Sequence, residues 1–233
     1  MKGFDLSAIL LNPEYRGMLL SGLWLTFVVA LCSWLLAMTL GVLLLAIRQV
    51  PGRVPEAAVA GYISFHRNTP TLVQLMLWYF GVASLLPDGL QIWLGDHDQE
   101  AIFAVIALGL CQAAYFSEDL RAGLRAVGAG QAEAARALGH SAFGALRFVL
   151  MPQAVRNALP ALVNHTVSLF KNSSLAMAIG VAELTHATKE VENESFRTFE
   201  VFLIASVLYL VCSLLLMAVG AVLEQRARLV GAH

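Results

Sequence analysis

Two cationic side chains, Arg67 and Lys171, lie inside long apolar stretches of this 233-residue chain. Each is followed by two short polar side chains, Asn68 and Thr69 in the first case and Asn172 and Ser173 in the second. Ionisable groups at the depth of a bilayer are costly and usually face an internal cavity or a solute pathway. A guanidinium or ammonium group beside amides and hydroxyls binds carboxylates. These residues therefore predict a pathway for a small zwitterion or anion.

Two further residues bear on this predicted pathway. Pro70 removes a backbone donor, so it bends or opens its helix and frees carbonyl groups that can coordinate a solute. Glu118 lies toward the inner end of the next apolar stretch, where a gate, a conformational ion pair and a solute contact are all compatible with the sequence. The structural alternative is that Arg67 and Lys171 pair with Glu118 and only hold the helices together.

The elements that position these residues are predicted to be membrane-spanning helices. Apolar residues make up 58% of the chain and charged residues 13%, whereas about a quarter of the residues in soluble proteins are charged. A helix needs ~20 apolar residues to cross a bilayer, because its backbone groups must be satisfied within the segment. The sequence predicts an all-α integral membrane protein, one domain over residues 1–233, with spans near residues 18–47, 57–86, 101–122, 158–179 and 201–223.

The distribution of basic residues predicts the orientation, since cytoplasmic flanks carry an excess of Lys and Arg. The predicted inner flanks hold Arg48, Arg53, Arg121, Arg125, Arg136, Arg147, Arg156, Arg226 and Arg228, and the outer flanks hold Lys2, Arg16, Lys189 and Arg197. The N-terminus is therefore predicted outside and the C-terminus in the cytoplasm, with Asp119 and Arg121 solvated near the inner surface. A six-span chain that counts residues 57–66 separately is the alternative.

A polar stretch between the third and fourth predicted spans, residues 129–152, does not belong in a bilayer. Its first ten residues are nearly all strong helix formers. Glu133, Arg136 and His140 are predicted on one side of this helix, and Ala134, Ala135 and Leu138 on another. Gly139 can adopt the left-handed backbone that ends a helix, and Ser141 can cap a second one from residue 142 to about residue 151. The prediction is two short helices with a bend; an ordinary amphipathic surface helix is the alternative.

The spacing in this stretch resembles the cytoplasmic coupling motif of ABC importer permeases. The matching residues are Glu133, Ala134, Ala135, Arg136 and Gly139, followed by Val149, Leu150, Met151 and Pro152. Val149 stands where the family usually has Ile, and Met151 where it usually has Leu. The resemblance implies a type I importer permease with five helices, in which these residues dock on an ATP-hydrolysing subunit. We call residues 129–152 the coupling segment.

The resemblance extends over nearly the whole chain from Ser21 onward and points to the polar amino acid uptake branch. The residues that carry it include Phe65 to Pro70, Val73, Gln74, Ala113 to Tyr115, Glu118, Arg121, Gly130, Gln131, Pro152 to Ala154, Arg156, Pro160 and Lys171. After Lys171, family members usually have Asp-Thr, whereas this chain has Asn172 and Ser173. Together with the stretch from Lys189 to Asn193, this variant looks most like glutamate/aspartate permeases, and the loss of an acidic residue suits an acidic solute.

The resemblance also implies the partners and the location. They are an ABC ATPase dimer that holds ATP and Mg²⁺, a second permease chain, an extracytoplasmic amino-acid-binding protein and the bacterial inner membrane. The chain itself has no phosphate-binding loop with a lysine, no metal-ligand spacing among His66, His165 and His186, and no arrangement for hydrolysis. It is thus predicted not to be an enzyme, to hold no cofactor or metal, and not to bind nucleic acid. An ion-gradient-driven secondary transporter is the alternative function.

Overall fold

The computed structural model describes residues 4–229, a helical protein without strands in that range. Its helices are α1 Ser7–Leu10, α2 Pro13–Arg48, α3 Arg53–Asn68, α4 Thr71–Met76, α5 Asp88–Gly95, α6 Gln99–Arg125, α7 Ala129–Ala137, α8 Ala142–Ala145, α9 Met151–Asn172, α10 Leu184–Ser195 and α11 Thr198–Leu229. Leu77–Val82 and Leu146–Leu150 are π-helical, and Ser173–Ile179 is a 3₁₀ helix. The predicted all-α class is confirmed. Lys2 and the two ends of the predicted domain, residues 1–3 and 230–233, lie outside the described residues.

Three of the described helices, α2, α6 and α11, are long and apolar enough to cross a membrane. α2 begins sharply because Pro13 occupies its first position and the Asn12 side chain accepts a hydrogen bond of 2.9 Å from the backbone N–H of Glu14. α9 has the length of a span but carries Arg156, His165 and Lys171. The five-span topology stays a prediction.

The second and fourth predicted spans differ in detail from the observed helices. Residues 57–86 were expected to form one span bent at Pro70, but α3 and α4 are separate helices because Thr69 adopts an extended backbone with ψ of 132°. Residues 158–179 were expected to be α-helical, but α9 begins already at residue 151 and gives way at residue 173 to a 3₁₀ helix. Both breaks lie directly after a predicted pathway cation.

Three helices, α1, α5 and α10, were not predicted from the sequence. α10 follows Glu183, a buried residue whose carboxylate accepts hydrogen bonds from the backbone N–H groups of Thr185 and His186 at 2.9 and 3.0 Å. Its buried positions are Leu184, Ala187, Thr188, Val191 and Ser195. This three-to-four residue period is the signal of an amphipathic helix that the sequence analysis overlooked. At its far end, a hydrogen bond from Lys189 lowers the pKa of Glu192.

α6 is the central helix of the fold and contacts α2, α3, α4 and α9. Small residues let its neighbours approach closely. A Cβ atom added at Gly123 would overlap the carbonyl oxygen of Ala154 and lie 2.8 Å from the Cβ of Ala158. Close approach of backbones through small residues is a common way to pack helices where lipid removes the hydrophobic driving force between them. α6 therefore positions both the predicted pathway residues and the start of α9.

Candidate functional site

A polar pocket of about 470 Å³ lies between α2, α3 and α6. Its polar side chains are Arg48 from α2, Ser64, Arg67 and Asn68 from α3, and Tyr115 and Glu118 from α6. Three of the predicted pathway residues, Arg67, Asn68 and Glu118, thus come together. Most of the pocket wall is polar, which distinguishes it from the apolar groove of Phe27, Trp34 and Phe170 elsewhere on α2 and α9. We call this space the polar pocket.

The guanidinium group of Arg67 lies 5.3 Å from the centre of the Tyr115 ring. No carboxylate in the described part of the chain lies within ion-pair distance of it. The Arg67 side chain is exposed, and the neighbouring Asn68 amide donates to the backbone carbonyl of Ser64 at 2.7 Å. A cation held on an aromatic face keeps its N–H donors available. Arg67 can therefore bind a carboxylate without first breaking an ion pair.

A buried glutamine holds the break between α3 and α4 in shape. The Gln74 amide nitrogen donates to the backbone carbonyls of His66 and Thr69 at 3.0 and 2.9 Å, which the broken helix leaves without partners. The Gln74 amide oxygen lies 2.5 Å from His66 Nδ1. Buried carbonyl groups need such partners. In the sequence, Gln74 was identified only as part of the family resemblance. The available signal for its role was Pro70, four residues earlier, because a proline predicts that backbone carbonyl groups lose their helical partners.

Glu118 pairs with Arg48, not with Arg67 or Lys171. Its Oε1 atom also lies 3.5 Å from Arg121 Nη1. The structural alternative considered from the sequence, an ion pair of Glu118 with one of the two pathway cations, is thus not the pairing that the structure has. Arg48 was read from the sequence only as part of the basic inner flank. The sequence does not show which helix the Arg48 side chain faces, so it carried no signal for this pair.

The expectation that Asp119 is solvated is wrong. Asp119 is buried, and its Oδ2 atom lies 2.6 Å from His165 Nδ1 on α9. The ring of His165 in turn lies 5.0 Å from that of Tyr115. Because α6 is packed on both sides by α2 and α9, consecutive residues such as Glu118 and Asp119 point into different interfaces. His165 therefore joins the wall of residues behind Arg67, which its isolated place in the sequence did not indicate.

The second predicted cation, Lys171, does not line the polar pocket. It is exposed at the end of α9 and has no ion pair within the described residues. Asn172 is half-buried, and Ser173 is fully buried with its hydroxyl donating to the Phe170 carbonyl at 2.7 Å. Ser173 is therefore not available as a solute contact in this structure. The predicted convergence of Arg67 and Lys171 on one cavity is not what the structure has.

The coupling segment begins with α7, which ends as the sequence predicted. Gly139 has φ of 88°, the left-handed region that favours glycine. The N–H of Gly139 donates to the Arg136 carbonyl at 3.0 Å, and the N–H of His140 to the Ala135 carbonyl at 3.1 Å. These two bonds are the Schellman pattern that closes a helix. Ser141 then accepts from the N–H of Gly144 at 3.1 Å and caps the next helix.

The second part of the coupling segment differs from the prediction. It was expected to be a short helix ending near Met151, but α8 continues through the π-helical Leu146–Leu150 directly into α9. Pro152 does not end the helix, because it follows the π-helical turn, in which the regular pattern of backbone hydrogen bonds is already interrupted. The coupling segment is therefore continuous with a helix that reaches Lys171.

The exposed surface of the coupling segment is apolar in places. Leu138 is 83% exposed, Phe143 68% and Phe148 65%. Ala135 is buried, whereas Ala134, which was expected on the same face as Ala135, is exposed together with Glu133, Arg136 and Gly139. A side-chain hydrogen bond of 3.3 Å from Gln153 to Gln131 ties α7 to the start of α9. Exposed aromatic and aliphatic side chains beside charges are typical of a docking surface.

A profile of the family described as the binding-protein-dependent transport system inner membrane component matches residues 36–229. This match covers the polar pocket, the coupling segment and every helix from the last third of α2 onward. The chain belongs to this family. It is accordingly a multi-pass protein of the bacterial inner membrane and a component of a transporter, with ATP hydrolysis carried out by a separate subunit. Family membership decides against the ion-gradient-driven alternative.

Individual relatives agree with this assignment. The chain is 30% identical over 224 residues to the glutamate/aspartate import permease protein GltJ of Escherichia coli K12, covering 94% of this chain and 91% of the relative. It is 34% identical over 211 residues to the arginine transport system permease protein ArtQ of Bacillus subtilis, covering 90% and 92%. A solved structure of an amino acid ABC transporter with histidines superposes with a TM-score of 0.84 at 29% identity, covering 97% of this chain and 100% of that chain. The type I importer permease fold is thus confirmed.

Proposed function

We propose that this chain is the permease subunit of an ABC importer that moves polar amino acids, with glutamate and aspartate preferred, by alternating access. The observation that carries the preference is Arg67, whose guanidinium faces the polar pocket with no carboxylate partner among the described residues. An unneutralised cation at this depth lowers the energy of an anionic solute and raises that of a cationic one. Asn172, where the family usually has Asp, removes an acidic group that would oppose such a solute.

The relatives support amino acid transport more firmly than one particular solute. A glutamate/aspartate permease and an arginine permease have comparable identity to this chain, although their solutes carry opposite charge. Overall identity therefore does not choose between acidic and basic solutes, and the charge of the pocket is the better guide. Exposed Lys171 is a further pathway cation without an ion pair among the described residues, although it does not line the polar pocket.

The partners follow from the same proposal. Membership in the family implies a separate ATPase and a second permease subunit. We infer that the coupling segment is the contact with that ATPase, because it presents exposed apolar side chains on a stem continuous with α9. Its exposed residues Glu133, Ala134, Arg136, Gly139 and Pro152 make this contact, and buried Ala135 supports them from behind. ATP and Mg²⁺ belong to the ATPase. An extracytoplasmic binding protein delivers the solute at the opposite end, with the N-terminus outside and the C-terminus in the cytoplasm.

A competition experiment tests the solute preference. Uptake of radiolabelled glutamate is measured in cells that lack the chromosomal gene and express this chain with its partners, in the presence of excess unlabelled amino acids. Aspartate and glutamate are expected to suppress uptake strongly, glutamine weakly, and arginine and histidine least. Stronger competition by arginine than by aspartate would overturn the argument from the charge of the polar pocket, while leaving the family assignment intact.

A further inference from the structure

Arg48 lies at the junction of two polar pockets. It lines the polar pocket together with Arg67 and Glu118. It also lines a second pocket of about 320 Å³, whose other polar side chains are Gln49, Glu56, Arg121 and Arg125. The ion pair of Arg48 and Glu118 therefore lies where the two spaces meet. A solute that passes from the polar pocket toward the ends of α2 and α6 meets this pair next.

The environment of Arg48 leaves part of its binding capacity unused. Its side chain is nine-tenths buried, with 10% exposed. Glu118 is its one carboxylate partner among the described residues, and the Nε atom of Arg48 is buried without a hydrogen-bond partner there. A guanidinium group has five N–H donors arranged to bind a carboxylate through two of them. Arg48 is thus a carboxylate-binding group that an internal carboxylate occupies.

Glu118 also lies near a second cation, Arg121. Its Oε1 atom lies 3.5 Å from Arg121 Nη1, and Arg121 lines the second pocket. If a solute carboxylate replaces Glu118 on Arg48, Glu118 keeps an ion pair with Arg121. Both the buried guanidinium of Arg48 and the displaced carboxylate of Glu118 then have a partner. Breaking a buried ion pair is costly when it leaves one charge unpaired, and this exchange avoids that cost. The three residues therefore allow one carboxylate to be exchanged for another.

We propose that Arg48 is a second carboxylate-binding position on the solute path, which Glu118 occupies until the carboxylate of a transported amino acid displaces it. The proposal rests on the proposed function, since it takes the solute to be an amino acid. The carboxylate that binds is either the α-carboxylate, which all amino acids carry, or the side-chain carboxylate of an acidic one. In either case the ion pair separates the two pockets while no solute is present.

Equilibrium binding tests this position directly. The purified complex of the permease with its ATPase, in lipid nanodiscs without binding protein, is titrated with radiolabelled glutamate and, in a parallel series, glutamine. Glu118→Gln removes the internal competitor at nearly constant shape, so it is expected to raise the affinity for glutamate about ten-fold, the effect of one charge-assisted hydrogen bond. The double variant Glu118→Gln with Arg48→Gln is expected to lose this gain. Glu194→Gln, which neutralises an exposed carboxylate on α10 outside both pockets, is the matched control and is expected to bind within about two-fold of the wild type.

The outcomes distinguish a failure of the proposed carboxylate position at Arg48 from a failure of the proposed function. A gain for both amino acids identifies the α-carboxylate, and a gain for glutamate alone identifies the side-chain carboxylate. If Glu118→Gln lowers the thermal stability of the complex but leaves both affinities unchanged, or if the gain survives the loss of Arg48, the pair only ties α2 to α6 and the proposal is wrong. If the wild-type complex neither binds nor imports any amino acid, the proposed function itself has failed.

Discussion

Arg67, the cation proposed to bind the solute, is held in position without being neutralised. Its guanidinium is held on the Tyr115 ring, and Tyr115 is backed by His165, which is fixed by Asp119. These contacts run from α3 through α6 to α9 and set the position of the cation. An aromatic ring attracts a cation by about 0.5–2 kcal/mol but supplies no negative charge that would compete with a carboxylate. The residue is thus oriented and still available.

Substitution of Arg67 should therefore affect transport more than folding. Arg67→Ala is expected to lower kcat/KM for glutamate uptake at least ten-fold, because a charge-assisted contact to the solute is lost. Arg67→Lys should retain part of the activity, since the charge remains but the planar fork does not. The measurement is initial-rate uptake in whole cells, with the amount of permease in the membrane determined by immunoblot.

Tyr115 supplies the control for this prediction. Tyr115→Phe keeps the aromatic face and is expected to transport within about two-fold of the wild type, because a ring without the hydroxyl still attracts a cation. Tyr115→Leu removes the face and should resemble Arg67→Lys in effect. Equal, normal uptake by Arg67→Ala and Tyr115→Leu would mean that the residues are structural and that the solute does not meet them.

At the residue scale, the sequence predicted which charged residues come together better than it predicted which residues pair with them. Arg67, Asn68 and Glu118 were expected on one pathway and they line one pocket. The pairing of Glu118 with Arg48 and the burial of Asp119 were not predictable, because hydropathy gives the depth of a residue but not the direction in which its side chain points. That direction depends on how α6 is rotated between α2 and α9. Only packing fixes this rotation.

Among the elements, the contact of α6 with α9 depends on a single glycine. A side chain at Gly123 would overlap the Ala154 carbonyl oxygen and crowd Ala158. α9 carries the coupling segment at its start and Lys171 at its end. A separation of α6 from α9 therefore affects both the polar pocket, which α6 lines, and the coupling segment, which leads into α9.

Gly123→Val is expected to destabilise the protein by about 1–3 kcal/mol or to prevent its accumulation, because inserted atoms in a close helix contact force the backbones apart. Thermal unfolding of purified protein in detergent, followed by size-exclusion chromatography, measures this effect. Gly61→Val is the matched control, since a Cβ atom at Gly61 meets no atom within 4 Å, and it should unfold close to the wild-type temperature. Equal stability of the two variants would contradict the packing argument.

The coupling segment gives a second prediction at the scale of elements. Glu133→Arg is expected to abolish ATPase activity that depends on transport, because Glu133 is exposed on the surface inferred to dock on the ATPase, while the permease stays in the membrane. Gly139→Glu should have the same effect, with added backbone strain at its φ of 88°. ATP hydrolysis by the reconstituted complex and immunoblotting of membranes measure the two quantities.

The control for the coupling variants reverses an exposed charge elsewhere. Glu194 lies near the end of α10 and is exposed. Glu194→Arg should leave hydrolysis and the amount of permease close to wild type. Normal uptake by Glu133→Arg or Gly139→Glu would reject the docking surface.

The helices themselves were partly predictable. The Schellman ending at Gly139 and the cap at Ser141 follow from residue types alone, and the structure has both. The continuity of α8 with α9 was missed because a π-helical turn, Leu146–Leu150, joins the two helices, and no residue pattern in the sequence marks such a turn. α10 was missed because its apolar face is short and lies between two long apolar stretches that dominate any hydropathy pattern.

For the whole molecule, apolar composition and the coupling spacing were sufficient to predict a helical membrane permease, and the family profile over residues 36–229 confirms it. Three long apolar helices, α2, α6 and α11, agree with multiple membrane crossings. The other two predicted spans are interrupted or polar, and they carry the predicted pathway cations Arg67 and Lys171. A pathway needs broken helices and charges, and these are the features that weaken a hydropathy signal.

The most direct test of the central claim is uptake of radiolabelled glutamate by proteoliposomes. The claim is that this chain moves an amino acid only when a separate ATPase acts on its coupling segment. Vesicles contain the permease with or without its ATPase, and receive binding protein on the outside and ATP inside. The account predicts accumulation only when the ATPase and ATP are both present, and none with Glu133→Arg. Accumulation by the permease alone, driven by an ion gradient and insensitive to ATP, would contradict it.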